Sequence, residues 1–144
     1  ARTGVSEEFD IEETIKYGKS LSENETGKVG TIGFCLGGFL AYASSIETSA
    51  DANVGYYGVG IESKLNEKDN IKNNLVLHIA TEDQFVPLDV QKKIHSELDN
   101  HPKVSIYDYK ADHAFARIGG DAYVEEVANK AEKITVDFLN KFLR

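Results

Sequence analysis

Cys35, Asp83 and His113 are the residues whose types and order along the chain fit nucleophilic catalysis. Cys35 lies in Gly33-Phe34-Cys35-Leu36-Gly37, the G-x-nucleophile-x-G pattern of a sharp turn between a strand and a helix. It is the only cysteine, so it has no disulfide partner within the chain. An inert, buried thiol fits the same pattern, because free cysteine is among the most buried residue types. The pattern alone therefore leaves both interpretations of Cys35 open.

His113 is the candidate general base for this thiol. An unperturbed thiol has a pKa of about 8.5 and is only slightly ionised at neutral pH, so a neighbouring imidazole is its usual partner. His113 lies in a loop with small neighbouring residues, which suits a ring that moves between partners, although a surface histidine in a turn fits the same segment. We expect His78 to be a core histidine within a strand, and His95 and His101 to belong to a helix and its exit.

Asp83 is the candidate carboxylate. It would accept a hydrogen bond from the imidazole, fix its tautomer and stabilise the imidazolium that forms. Glu82 is the adjacent competitor, but the shorter side chain of Asp83 gives a better-defined geometry in a turn, whereas Glu82 would point to water. A helix-capping or turn-forming role before Pro87 is the alternative for Asp83. The amide of Leu36, at the start of a helix, is expected to donate one hydrogen bond to an oxyanion.

Apolar segments with strand and helix periodicity alternate along the chain. The apolar run at residues 75–80 is typical of a strand buried on both faces of a parallel sheet. Residues 61–74 are polar, and we expect an irregular, mobile loop with one helical turn. The predicted strands are residues 28–34, 52–59, 75–80 and 104–109, and the predicted helices are residues 6–22, 36–48, 87–100 and 122 to nearly the C-terminus.

This alternation predicts an α/β fold, with about four parallel strands and flanking helices in a single domain over residues 1–144. Ligands bind at the carboxyl ends of the strands in such sheets. Cys35, Asp83 and His113 each follow a different predicted strand, so the topology should bring a nucleophile, an acid and a base to one edge. This convergence favours the catalytic interpretation of all three residues.

Composition limits the classes of partner. The chain has 144 residues, 41% of them hydrophobic, and a formal net charge of −8, which disfavours nucleic acids and anionic membrane surfaces. No apolar run approaches the roughly 20 residues of a membrane-spanning helix, and the N-terminal residues do not resemble a secretion signal. We therefore expect a cytoplasmic protein. No cluster of metal-ligating residues is visible in the sequence, so we expect neither a metal nor an organic cofactor.

Four stretches resemble the dienelactone hydrolase (carboxymethylenebutenolidase) family of α/β-hydrolases, and the order nucleophile, acid, histidine is the order of that fold. The stretches are residues 27–38 (GKVGTIGFCLGG), 54–60 (VGYYGVG), 83–87 (DQFVP) and 113–117 (HAFAR). The resemblance implies hydrolysis of a lactone or activated ester by a Cys35, His113 and Asp83 triad. It also implies that Arg117 helps to hold a substrate carboxylate and that Tyr57 lines the pocket. A solvated surface arginine and core packing are the respective alternatives.

The resemblance also implies that a part of the family's fold has no counterpart in this chain. Family members carry a longer N-terminal half with the first strands, a second oxyanion amide, a glutamate near the resting thiol and a further arginine. Loss of one oxyanion donor typically lowers turnover by about 100- to 1,000-fold, so we expect little activity from this chain alone. The strand that ends at Phe34 should have an uncovered edge, where a second copy or an N-terminal half would associate.

Two other functions fit the sequence less well. The first is a non-catalytic remnant of an α/β-hydrolase that acts as a binding or assembly unit. The second is a redox-sensing thiol, which is disfavoured because no second cysteine is present to resolve an oxidised Cys35. The sequence does not name the ester or lactone.

Overall fold

The order of elements in a computed structural model of the chain follows the predicted alternation of strands and helices. The structure describes residues 4–144, and their side chains from Asp10 onward. The elements are α1 (Gly4–Ser20), β1 (Gly30–Phe34), α2 (Leu36–Glu47), β2 (Ala52–Tyr56), a 3-10 helical segment (Ile61–Asn70), β3 (Asn74–Ala80), α3 (Leu88–Leu98), β4 (Val104–Tyr109) and α4 (Glu125–Leu143). Phe9, one of the apolar residues that predict α1, lies outside the described side chains.

The four strands form one parallel sheet in the order β1-β2-β3-β4. Phe34 pairs with Tyr56, and Tyr56 pairs with His78, so the strands end at nearly the same level. This arrangement confirms the prediction of four parallel strands with flanking helices. Because the strands are parallel, the turns that follow their carboxyl ends lie along one edge of the sheet.

Alternate residues of β3 belong to two separate hydrophobic layers. Leu75 and Leu77 pack in a cluster that includes residues of α2 and α3, whereas Val76 and Ala80 pack in a cluster that includes residues of α4. Both faces of β3 are therefore covered, as its continuous apolar sequence predicts.

Residues 61–74 differ from the prediction of an irregular loop with one helical turn. Residues Ile61–Asn70 are helical, with a kink at Lys64, where φ is −123°. Ile61 and Leu65 are buried in the same cluster as β3, and the Tyr42 hydroxyl donates to the Lys64 carbonyl oxygen over 2.9 Å. Two apolar residues in a polar run gave too weak a pattern for this helix to be predicted.

The second strand is also shorter than predicted, because it ends at Tyr56 rather than at residue 59. Tyr57 has a φ of 38°, in the left-handed region, so the chain leaves the sheet at this residue. Tyr57 is thereby placed in the turn after β2, at the edge that also holds Cys35.

Candidate active site

Cys35 forms a strained turn between β1 and α2. Its φ of 59° and ψ of −119° lie outside the regions that L-residues usually occupy. The Cys35 amide donates to the Tyr56 carbonyl oxygen over 3.1 Å, and its own carbonyl oxygen accepts from the Gly38 amide over 2.9 Å. A Cβ atom at Gly33 would lie only 1.8 Å from the Gly37 carbonyl oxygen, so the turn requires glycine there. The turn therefore matches the geometry that the glycine pattern predicts.

The side chains of Cys35, His113 and Asp83 meet at the carboxyl edge of the sheet. His113 Nδ1 lies 2.7 Å from Asp83 Oδ2, and His113 Nε2 lies 3.1 Å from Cys35 Sγ. An ionised carboxylate only accepts hydrogen bonds, so Nδ1 carries the imidazole proton and Nε2 presents its lone pair to the thiol. This arrangement allows transfer of the thiol proton to His113.

Asp83 is held rigidly in the turn after β3. It is buried, and its Oδ1 accepts a hydrogen bond from the Phe85 amide over 2.8 Å, while Oδ2 accepts from His113. The turn-forming role and the contact with His113 therefore coexist in one side chain. Glu82 is exposed, in agreement with the expectation that it points to water.

The environment of Cys35 favours the neutral thiol. Burial raises the pKa of this thiol above its ordinary value, and the negative charge of Asp83 raises it further. The positive charge of Arg117 acts in the opposite direction and lowers the pKa of the thiol. The net effect is an increase, so the thiol keeps its proton at neutral pH, with His113 Nε2 3.1 Å from its sulfur.

Two aromatic rings flank the His113 imidazole. The Tyr57 ring is buried, with its centroid 5.1 Å from the imidazole centroid. Burial, followed by the proximity of Cys35, raises the pKa of Tyr57 to about 12, so the phenol keeps its proton at neutral pH. The Phe85 ring stands edge-to-face with the imidazole at 5.0 Å and remains exposed. Phe85 lies in the DQFVP stretch at residues 83–87, and the sequence predicts no role for it, because only the fold reveals its contact with His113.

Leu36 and Arg117, the other predicted site residues, also lie at this edge. Leu36 is the first residue of α2 and follows Cys35 directly, so its amide is one of the free donors of a helix N-terminus. Arg117 is exposed, and its charge acts on the Cys35 thiol. Among the described residues it forms no salt bridge.

The remaining histidines lie elsewhere in the fold. His78 is buried in β3, with Nδ1 2.9 Å from Tyr109 Oη and Nε2 2.9 Å from Thr135 Oγ1, which confirms a core histidine with satisfied hydrogen bonds. His95 lies in α3, and its two ring nitrogens contact carboxylates at 2.7 and 2.9 Å. His101 follows α3 and lies 3.1 Å from the Lys68 carbonyl oxygen.

Within the part of the chain that the structure describes, no group of three or more histidine, cysteine, aspartate or glutamate side chains is arranged to hold a metal ion. None of the helices in that same part is long and apolar enough to cross a membrane.

Several curated proteins are similar to this chain in sequence. The carboxymethylenebutenolidase of Pseudomonas putida is 35% identical over 131 residues, which are 90% of this chain and 55% of the relative. A putative carboxymethylenebutenolidase of Azospirillum brasilense is 38% identical over 109 residues, which are 75% of this chain and 47% of the relative. The chain thus spans about half the length of these relatives.

Solved structures share the fold at low sequence identity. A putative dienelactone hydrolase from Klebsiella pneumoniae has a TM-score of 0.84 and 17% identity, with 96% of this chain and 62% of that chain covered. An esterase from Pyrococcus furiosus has a TM-score of 0.79 and 17% identity, with 99% and 65% covered. The model of the dienelactone hydrolase family matches residues 4–143. The chain therefore belongs to the dienelactone hydrolase family and has the α/β-hydrolase fold.

Proposed function

We propose that the chain hydrolyses a lactone or activated ester through Cys35, His113 and Asp83. His113 Nε2 takes the proton from Cys35 Sγ, and the sulfur attacks the ester carbonyl carbon to form a tetrahedral intermediate. The carbon–oxygen bond to the leaving group then breaks, and His113 gives its proton to that oxygen. Water, deprotonated by His113, attacks the resulting thioester and releases the acid, while the sulfur leaves and recovers a proton. Asp83 stabilises the imidazolium in both steps.

The observation that carries this proposal is the continuous contact from carboxylate to imidazole to sulfur, over 2.7 and 3.1 Å. Both distances lie within the reach that proton transfer requires. The Leu36 amide would donate to the oxyanion, where one donor typically contributes about 100- to 1,000-fold in turnover. We propose that a second donor comes from a polypeptide equivalent to the part of the relatives that this chain does not span.

We assign Arg117 and Tyr57 to substrate binding. The exposed guanidinium of Arg117 would pair with a carboxylate of an anionic lactone in a two-pronged contact. Tyr57 would form a wall of the pocket beside His113, with its hydroxyl neutral. We also propose a cytoplasmic location, because the unpaired thiol would be kept reduced there.

Hydrolysis of phenyl acetate and of a dienelactone by the wild type and by Cys35→Ala tests the proposal. We expect Cys35→Ala to abolish turnover, and we expect mass spectrometry of the quenched wild type to detect an acyl group on Cys35. Leu88→Ala, which trims an exposed side chain at the start of α3, is the matched control and should keep the wild-type rate. Equal rates for the wild type and Cys35→Ala would exclude this mechanism.

A second function, as a unit that assembles with another polypeptide, is favoured by the uncovered edge of β1. Ile32 and Phe34 are each about half exposed, which is unusual in a parallel sheet, where both faces are normally covered. Apolar grooves flank the strand, one of about 310 Å³ beside α4 and one of about 560 Å³ beside α1. Next to this strand, the Asn53 Nδ2 group is buried without a hydrogen-bond acceptor.

We propose that the occupant of this edge is a polypeptide equivalent to the part of the relatives that this chain does not span. It would add a strand to β1, with alternate side chains entering the two grooves. The test adds the unmatched part of the Pseudomonas putida relative to this chain and measures sedimentation. A stable heterodimer with slower hydrogen exchange in β1 is expected. A lone monomer, or a dimer of this chain that the added polypeptide does not displace, would contradict it.

A further inference from the structure

Phe85 is an exposed aromatic side chain that touches the candidate base and has no role in the mechanism above. The residue is 57% exposed, and its ring stands edge-to-face with the His113 imidazole, at a centroid distance of 5.0 Å. Its amide donates to Asp83 Oδ1 over 2.8 Å, so its backbone is fixed in the same turn as the carboxylate. The ring is thus held at a defined position while most of its surface faces solvent.

The position of the ring relates it to one part of the substrate. In the proposed mechanism, His113 Nε2 gives its proton to the leaving oxygen, so that oxygen lies within about 3 Å of Nε2. The group attached to this oxygen must then lie beside the imidazole. Tyr57, the other ring against His113, is only 3% exposed and offers little surface to a ligand. The accessible aromatic surface that touches His113 is therefore that of Phe85.

The exposure of Phe85 is separate from the uncovered edge of the sheet. Phe85 follows β3, which lies two strands away from β1. Since neighbouring strands are about 4.8 Å apart, a strand added to β1 would extend the sheet away from Phe85. The aromatic surface would thus remain beside His113 in an assembled protein.

We propose that Phe85 is the contact surface for the leaving group and gives the site a preference for aryl over alkyl esters. This inference rests on the proposed hydrolase function. For ester substrates, it adds the class of alcohol that is released. Aromatic pairs with centroids about 4.5–7 Å apart gain roughly 0.5–1.5 kcal/mol beyond the burial of area. Such a gain corresponds to a preference of about two- to thirteenfold in kcat/KM.

The test compares two esters of one acid, phenyl acetate and hexafluoroisopropyl acetate, whose alcohols have similar acidity. Phe85→Ala and Phe85→Leu should lower kcat/KM for the phenyl ester about two- to thirteenfold more than for the fluoroalkyl ester. Phe85→Tyr, which keeps the ring, should retain the wild-type ratio. An equal loss for both esters in Phe85→Ala would mean that the ring only positions His113, and it would overturn the proposal.

A binding measurement makes the inference testable without turnover. Titration with phenol, the product alcohol, should shift the NMR signals of the His113 ring in the wild type and much less in Phe85→Ala. Cyclohexanol should give smaller shifts at equal concentration. The absence of a phenol-dependent shift in the wild type would overturn the proposal. If phenol binds beside His113 but Cys35→Ala and the wild type hydrolyse esters equally, the proposed hydrolase mechanism is wrong, whereas the assignment of Phe85 as an aromatic contact surface is retained.

Discussion

His113 and His78 each form hydrogen bonds through both ring nitrogens, yet their surroundings suit them to different tasks. His113 lies between a carboxylate and a thiol, and its side chain is 16% exposed. His78 lies between the hydroxyl groups of Tyr109 and Thr135 and is 1% exposed. Burial lowers the pKa of His78 to about 4, so this imidazole stays neutral at neutral pH.

The difference teaches that partners and position, rather than residue type, make a histidine a candidate base. The carboxylate of Asp83 lies 2.7 Å from His113 Nδ1, and solvent reaches the ring from the carboxyl edge of the sheet. His78 has no anionic hydrogen-bond partner, and its network continues from Thr135 to Tyr56 over 2.8 Å inside the core. Protonation of His78 would therefore place an unpaired charge in the core.

The largest expected effect comes from His113. His113→Gln removes the base while it keeps a polar side chain, and we expect kcat/KM for phenyl acetate to fall by about 100- to 10,000-fold. The free energy of unfolding should change little, because the side chain lies in a loop at the surface of the site. Steady-state kinetics and urea denaturation measure the two quantities. A fall in kcat/KM of less than tenfold would remove His113 from the mechanism.

The converse variant tests the other half of the comparison. His78→Phe fills the space of the ring but leaves the Tyr109 hydroxyl without this partner, whereas Thr135 keeps its hydrogen bond to the Tyr56 hydroxyl. An unsatisfied buried group costs about 1–3 kcal/mol, so we expect a loss of about 1–3 kcal/mol in the free energy of unfolding. The kcat per folded molecule should change by less than threefold. If kcat/KM instead falls as far as in His113→Gln while the free energy of unfolding stays unchanged, the assignment of catalysis to His113 and of core stability to His78 is wrong.

The pH dependence of the free energy of unfolding tests the direction in which the pKa of His78 is shifted. The pKa of His78 is lowered to about 4 in the folded state and is about 6.5 when unfolded, so the unfolded chain binds more protons between these values. Stability from this group is present above pH 6.5 and decreases by about 3 kcal/mol as the pH falls to 4. Urea denaturation from pH 7 to 4 should show a shallower decrease for His78→Phe than for the wild type.

His95 provides the control of opposite sign. Burial lowers its pKa, but hydrogen bonds and charges from Asp108 and Asp99 outweigh this effect, so the pKa is raised overall. Its stabilisation is present below the unfolded pKa and is lost as the pH rises through the folded pKa. His95→Gln should therefore remove stability mainly at low pH. The same slope for His78→Phe and His95→Gln would contradict both assignments.

The smallest effect concerns the charge that acts on the thiol. Arg117→Gln removes the positive charge that lowers the pKa of Cys35, so this pKa should rise further. The measurement is the rate of alkylation by iodoacetamide as a function of pH. Arg117→Lys keeps the charge and should leave the midpoint close to that of the wild type. A midpoint that moves to lower pH in Arg117→Gln would reverse the assigned effect.

Local patterns predicted the elements that bring the candidate site together. Glycines around Cys35 indicated the turn after β1, and the apolar run before Thr81 indicated that Asp83 follows a buried strand. Residues 61–74 were predicted less well, since their helix depends on the burial of Ile61 and Leu65 by distant parts of the core. The end of β2 was also predicted incorrectly, because the residue that adopts the left-handed conformation is Tyr57, and a tyrosine does not indicate such a turn in the sequence.

The sequence by itself determined the order of strands and helices, and therefore which side chains reach the carboxyl edge. Periodicity and glycine placement express local backbone preferences, and those preferences act within a few residues. Only the tertiary structure decided the distances that join His113 to the thiol and to the carboxylate, and which aromatic ring stays exposed beside the imidazole. These outcomes depend on contacts between residues 28 to 78 positions apart, which the packing of the sheet and helices fixes.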